Sequence, residues 1–156
     1  MTICNQWSWK PDDRMKSLKE CLVVLVRCAG GDGNLLFNVG PMPDGEIEPR
    51  QAKRLREMGR WLEWNGESIY GTRGGPYLPN SCAVNTYRGK TIYLHLLQWP
   101  RDRDTVRIPA PGVKVVSARL LRACPQSGRF LNRAPRHGPN AGVVRKLFAI
   151  CRLKTP

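Results

Sequence analysis

Leu35-Leu36-Phe37-Asn38-Val39 is a nearly continuous apolar run, bounded by turn signals at Asp32-Gly33-Asn34 and Gly40-Pro41. Apolar on both faces, such a run suits a strand enclosed between layers, as in a parallel sheet. A strand of that kind needs partners along its edges, because unpaired backbone groups are costly to bury. The neighbouring sequence offers helices instead. Pro11-Asp12-Asp13 is a helix start, followed by Met15, Leu18, Leu22, Leu25 and Val26 on one face. Gly30-Gly31 is expected to end that helix through a left-handed glycine cap. Pro49 suits the first turn of a second helix, which carries Leu55, Met58, Trp61 and Leu62 and closes at Asn65-Gly66. Helix, strand, helix with no partner strand in the first 75 residues predicts the last portion of an α/β sheet or barrel whose earlier strands are missing.

After Pro76 the texture changes. Ala83–Tyr87, Thr91–Leu97, Thr105–Ile108 and Val113–Ala118 are short strand candidates, with 85–97 a hairpin around Gly89. These predict an antiparallel, sandwich-like unit. From about Leu121 the pattern decays, and only Val143–Ile150 is apolar enough to order.

Charge sharpens the division. The 156 residues hold 26 Lys and Arg against 12 Asp and Glu. All 12 acids and 15 of the basic residues precede Thr105, leaving 11 basic residues and no acid in 105–156. That tail supports an alternative reading as a basic nucleic-acid-binding module, although only Phe130 and Phe148 could stack on bases. The longest apolar run, Leu22–Val26, is far short of the roughly 18 residues that span a bilayer. The six cysteines form no C-x-x-C pair, and only His95 and His137 could add imidazole. The spacing argues against structural zinc and favours buried free thiols. No cofactor, metal or membrane partner is expected, and no secretory signal follows Met1.

Few residues offer chemistry. Gly30-Gly31-Asp32-Gly33-Asn34 follows a helix and opens a strand, the reverse of a phosphate-binding loop, so a helix end and turn is expected. Asn38 sits at the carboxyl end of the apolar run, where α/β proteins place ligands, and its amide can serve a site or hold a loop. Asp44 before Gly45 suits a turn. Glu67 is expected to be a satisfied carboxylate, with Arg73 as a possible partner. Trp7 and Trp9 alternate beside the same sheet end, and indole faces pack well on the apolar faces of sugars.

Four segments in order carry a resemblance: Gly33-Asn34-Leu35-Leu36-Phe37-Asn38-Val39-Gly40-Pro41, Asp44-Gly45-Glu46-Ile47, Leu55-Arg56-Glu57-Met58-Gly59-Arg60-Trp61-Leu62, and Asn65-Gly66-Glu67-Ser68-Ile69-Tyr70-Gly71-Thr72. Together they resemble the C-terminal part of the catalytic domain of α-L-fucosidases, glycoside hydrolase family 29. The resemblance covers residues 1 to about 120. It implies an α/β plus β fold: the C-terminal fragment of a (β/α) TIM-like barrel over 1–75, then a small antiparallel β-sandwich from 76 to 120. Residues 121–156 are left as an atypical, poorly ordered basic tail.

The resemblance further implies a retaining hydrolysis of α-L-fucosyl bonds by two carboxylates, about 5–5.5 Å apart in such sites. In the family both carboxylates lie upstream of Met1, so the chain is expected to be an N-terminally truncated, inactive piece. Its substrate-binding residues by resemblance are Trp7, against the fucose methyl, and Asn38, at the floor of the site. Phe37, where leucine is common, and the acid-free tail depart from the family pattern. The implied partner is a fucosylated glycan or glycoside. Secretion, the periplasm or the lysosome is the implied location.

Overall fold

A computed structural model describes residues 1–98, 115–121 and 149–155. Two helices, a short 3-10 turn and one antiparallel sheet make up its regular elements: α1 (Leu18–Gly30), α2 (Pro49–Asn65), the turn Gly66–Ser68, β1 (Arg73–Gly74), β2 (Ala83–Arg88), β3 (Thr91–Leu96), β4 (Ser117–Leu120) and β5 (Ala149–Lys154). The sheet order is β1-β2-β3-β5-β4.

The expected enclosed strand takes a different form. Leu35–Val39 is not a regular strand; Asn38 alone bridges to Thr2, in parallel. Asn38 N donates to the Met1 carbonyl at 2.8 Å, and Ile3 N donates to the Asn38 carbonyl at 3.0 Å. The run therefore does have a partner within the first 75 residues, the segment 1–4. That partner is itself held on its other side, where Lys16 N donates to the Ile3 carbonyl at 2.9 Å. Ile3 and Cys4 are buried, whereas Leu36 is 83% exposed, so the run is covered on one face only.

Helix α1 begins later than Pro11-Asp12-Asp13. Asp12 has φ 54 and lies in a turn. The helix is capped instead by Ser17, whose side chain accepts from Glu20 N while the Glu20 carboxylate accepts from Ser17 N, a complete capping box. The reciprocal pair satisfies two of the free donors at the helix start, which an isolated Asp cannot do. At the other end Gly31 is not left-handed (φ −85); Asp32 takes that conformation, with φ 58. Asp32 is held in it by its carboxylate, which accepts from Arg73 Nη2 at 2.6 Å and from Gly74 N at 3.0 Å. Gly30 is needed for packing: a Cβ there would lie 2.1 Å from a Val84 methyl carbon. Helix α2 starts at Pro49 and ends at Asn65, as its proline and Asn-Gly signals predict.

The hairpin forms as expected, with Gly89 at φ 53 between β2 and β3. β3 is buried from Ile92 to Leu96, which marks it as an interior strand. Its second neighbour is β5, paired from Thr91↔Lys154 to Leu96↔Ala149. Here the expectation of a poorly ordered tail fails for 149–154. Ile150 and Leu153, three residues apart and therefore on opposite faces of the strand, are both buried, as a strand seated between β3 and β4 requires. Most of the remaining tail, and the candidate strand Thr105–Ile108, lie outside the described residues.

One buried cluster joins the helices to the sheet: Ile3, Cys4, Cys21, Leu22, Val26, Met58, Trp61, Val84, Tyr93, Leu97 and Ile150. Among the described residues no helix is long and apolar enough to cross a membrane.

Candidate functional site

Parallel pairing of 1–4 with 36–39 leaves their carboxyl ends side by side, and the loops 5–14 and 40–47 leave from that shared end. The tryptophan loop is fixed there from three directions. Asn38 Nδ2 donates to the Trp7 carbonyl at 2.6 Å. Gln6 N donates to the Asp13 carboxylate at 2.8 Å. Gly40 presses on the loop backbone so closely that a Cβ would sit 2.4 Å from the Trp9 nitrogen. With its backbone held, Trp7 projects into solvent, 77% exposed, while Trp9 is half-buried.

Trp7 and Asn38, both singled out in the sequence, are thus brought together. One N–H of the Asn38 amide holds the loop, the structural role open to an amide at this position. The 40–47 loop is closed by Met42 N donating to the Glu46 carbonyl at 2.8 Å, and by Gly45 at φ 84. Asp44 is the expected turn-former, accepting from Glu46 N at 3.0 Å.

Glu48, not singled out by sequence, closes this end. It precedes Pro49 at the start of α2, is only 13% exposed, and accepts from Arg50 Nε and, at 3.3 Å, from Gln51 Nε2. Arg50 above all, with Gln51, holds its carboxyl below the usual carboxylate range. A charged, paired carboxylate is a poor proton donor at neutral pH. Asp13, Asp44 and Glu48 each serve a local bond, so these three do not assemble a pair poised for acid–base work. The Cys4 thiol, among them, is pushed up by burial and then by Asp13 and Glu48.

Elsewhere the polar groups are structural. Glu67 does not pair with Arg73, which is taken by Asp32; it accepts from Tyr93 at 3.3 Å and lies 3.3 Å from Arg152. His95 is fully buried, its Nε2 3.4 Å from Thr86 Oγ1, which in turn donates to the Ser68 carbonyl at 2.6 Å. Burial pushes His95 down to about 4, so it is neutral. Cys4 and Cys21 are free and buried, and Cys82 is free and exposed.

Residues 1–67 match the family model described as Alpha-L-fucosidase. A tissue α-L-fucosidase of Rattus norvegicus is 32% identical over 132 residues, 80% of this chain. The chain belongs to the α-L-fucosidase family. An α-L-fucosidase of Branchiostoma floridae is 39% identical over 99 residues, 61% of this chain. Among solved structures, α-L-fucosidase isoenzyme 1 from Paenibacillus thiaminolyticus superposes with a TM-score of 0.76 at 27% identity, covering 100% of this chain and 39% of that one. The chain spans 21% of the Branchiostoma fucosidase and 28% of the rat one. The matched segment contains Trp7, Asn38 and Glu48, the whole of the site end.

Proposed function

We propose that residues 1–75 form the closing part of a (β/α) barrel and that the antiparallel sheet beyond them belongs to a C-terminal β-sandwich. On this reading Thr2 and Asn38 lie on successive parallel barrel strands, and the loops 5–14 and 40–47 form one wall of a fucoside pocket. The single observation that carries it is the Asn38 amide gripping the Trp7 carbonyl at that end, within the family-matched segment.

Trp7 supplies a flat apolar face for the sugar's C–H groups and methyl, and its indole N–H remains available as a donor. Asn38 and Gly40 position that face rather than touch the reaction centre. The protein's reaction is hydrolysis of α-L-fucosyl glycosides with retention, through a fucosyl–enzyme intermediate and two carboxylates that the described site end does not provide. A polypeptide of these 156 residues alone is therefore inactive.

The test is a chimaera in which residues 1–98 replace the matching segment of the Paenibacillus enzyme. The chimaera hydrolyses an aryl α-L-fucoside, and Trp7→Ala raises KM with a smaller change in kcat. Equal KM with and without the indole would remove Trp7 from the pocket.

A further inference from the structure

A basic pocket on the sheet has no part in the fucoside reading and stands independently of it. β4 and β5 pair so that Arg119 lies opposite Arg152 and Ser117 opposite Lys154. Because side chains alternate along a strand, these four share one face. They line a cavity of about 230 Å³. Like charges directly opposite each other on an antiparallel pair repel, so the sequence places cations where the fold disfavours them. Glu67 offsets part of this, 3.3 Å from Arg152 Nη1. Arg152 Nε remains buried without a hydrogen-bond partner among the described residues. Arg119 and Lys154 form no ion pair with another described residue.

We propose that this pocket binds a tetrahedral oxyanion, a sulfate or phosphate group. Arg119, Arg152 and Lys154 supply the charge, and the Ser117 hydroxyl adds a neutral donor. Guanidinium groups suit such a ligand because their planar N–H forks meet two oxygens at once.

The experiment is a calorimetric titration of the full chain at about 150 mM NaCl, where long-range attraction is screened. The probes are inorganic sulfate, inorganic phosphate and galactose 6-sulfate. One saturable site is expected, weakened about tenfold or more by Arg119→Gln and by Lys154→Gln, since each removes a charged hydrogen bond. Both side chains are exposed, so neither change threatens the fold. Lys19→Gln, on exposed α1 surface, leaves the affinity unchanged. A tighter ester assigns the site to a sulfated molecule and equal affinities assign it to the free ion; either supports the proposal. No saturable binding, or affinity untouched by Arg119→Gln and Lys154→Gln, overturns it.

Discussion

Lowering the pH should destabilise this protein through His95 before its carboxylates matter. The ring is fully buried, and burial holds it neutral, with a folded pKa of about 4 against an ordinary 6.5. Between those values the unfolded chain binds a proton that the folded chain refuses. Stability from this group is therefore complete above pH 6.5 and falls as the pH drops toward 4. A gap of 2.5 pH units corresponds to about 3 kcal/mol once both limits are passed, and to about 2 kcal/mol between pH 7.5 and pH 5. Glu20 and Glu48 have carboxyls held below their ordinary range, so their loss comes at lower pH. Urea unfolding at pH 7.5, 6.5, 5.5 and 5.0 reads the slope, and His95→Gln, which keeps a polar side chain near Thr86 and Ser68, should flatten it by about 2 kcal/mol. NMR titration of the His95 ring supplies a direct reading if the variant folds poorly. A ring that titrates near 6.5 in the folded protein, or an unchanged slope in His95→Gln, would refute the reasoning.

Three further outcomes follow from local geometry. Ser17→Ala removes the capping box of α1 and should cost about 1 kcal/mol in urea unfolding. Gly40→Ala places a methyl 2.4 Å from the Trp9 nitrogen; the loop must shift, costing about 1–3 kcal/mol and changing tryptophan fluorescence. With iodoacetamide, exposed Cys82 should react well before Cys4 and Cys21, whose thiols are buried and pushed up by burial, as peptide mapping would show.

Signals carried by neighbouring residues were the ones the chain displayed openly. Pro49 and Asn65-Gly66 bracket α2, Gly89 turns the hairpin, and Asp44-Gly45 makes its loop, because each depends on backbone chemistry that acts over a few positions. The start of α1 is less legible: Asp12 and Asp13 each have the chemistry of a cap, but only Ser17 and Glu20 cap reciprocally. The partner of Asn38 is not legible because Met1–Cys4 is too short to announce a strand; three long-range hydrogen bonds join it to 36–38. β5 was hidden for a similar reason: Ala149–Lys154 alternates weakly and gains its place only from β3 and β4. At the candidate site, Trp7 and Asn38 stand out by residue type, whereas Glu48 acquires meaning only through Arg50 and Gln51 in space.

Turnover of an aryl α-L-fucoside by the purified 156-residue polypeptide measures the central claim most directly. The account predicts no release of aryl alcohol above the buffer blank, since the pocket wall proposed for Trp7 and Asn38 holds neither a nucleophile nor a proton donor. Steady turnover that co-purifies with this chain, and is absent from a mock preparation, would contradict it.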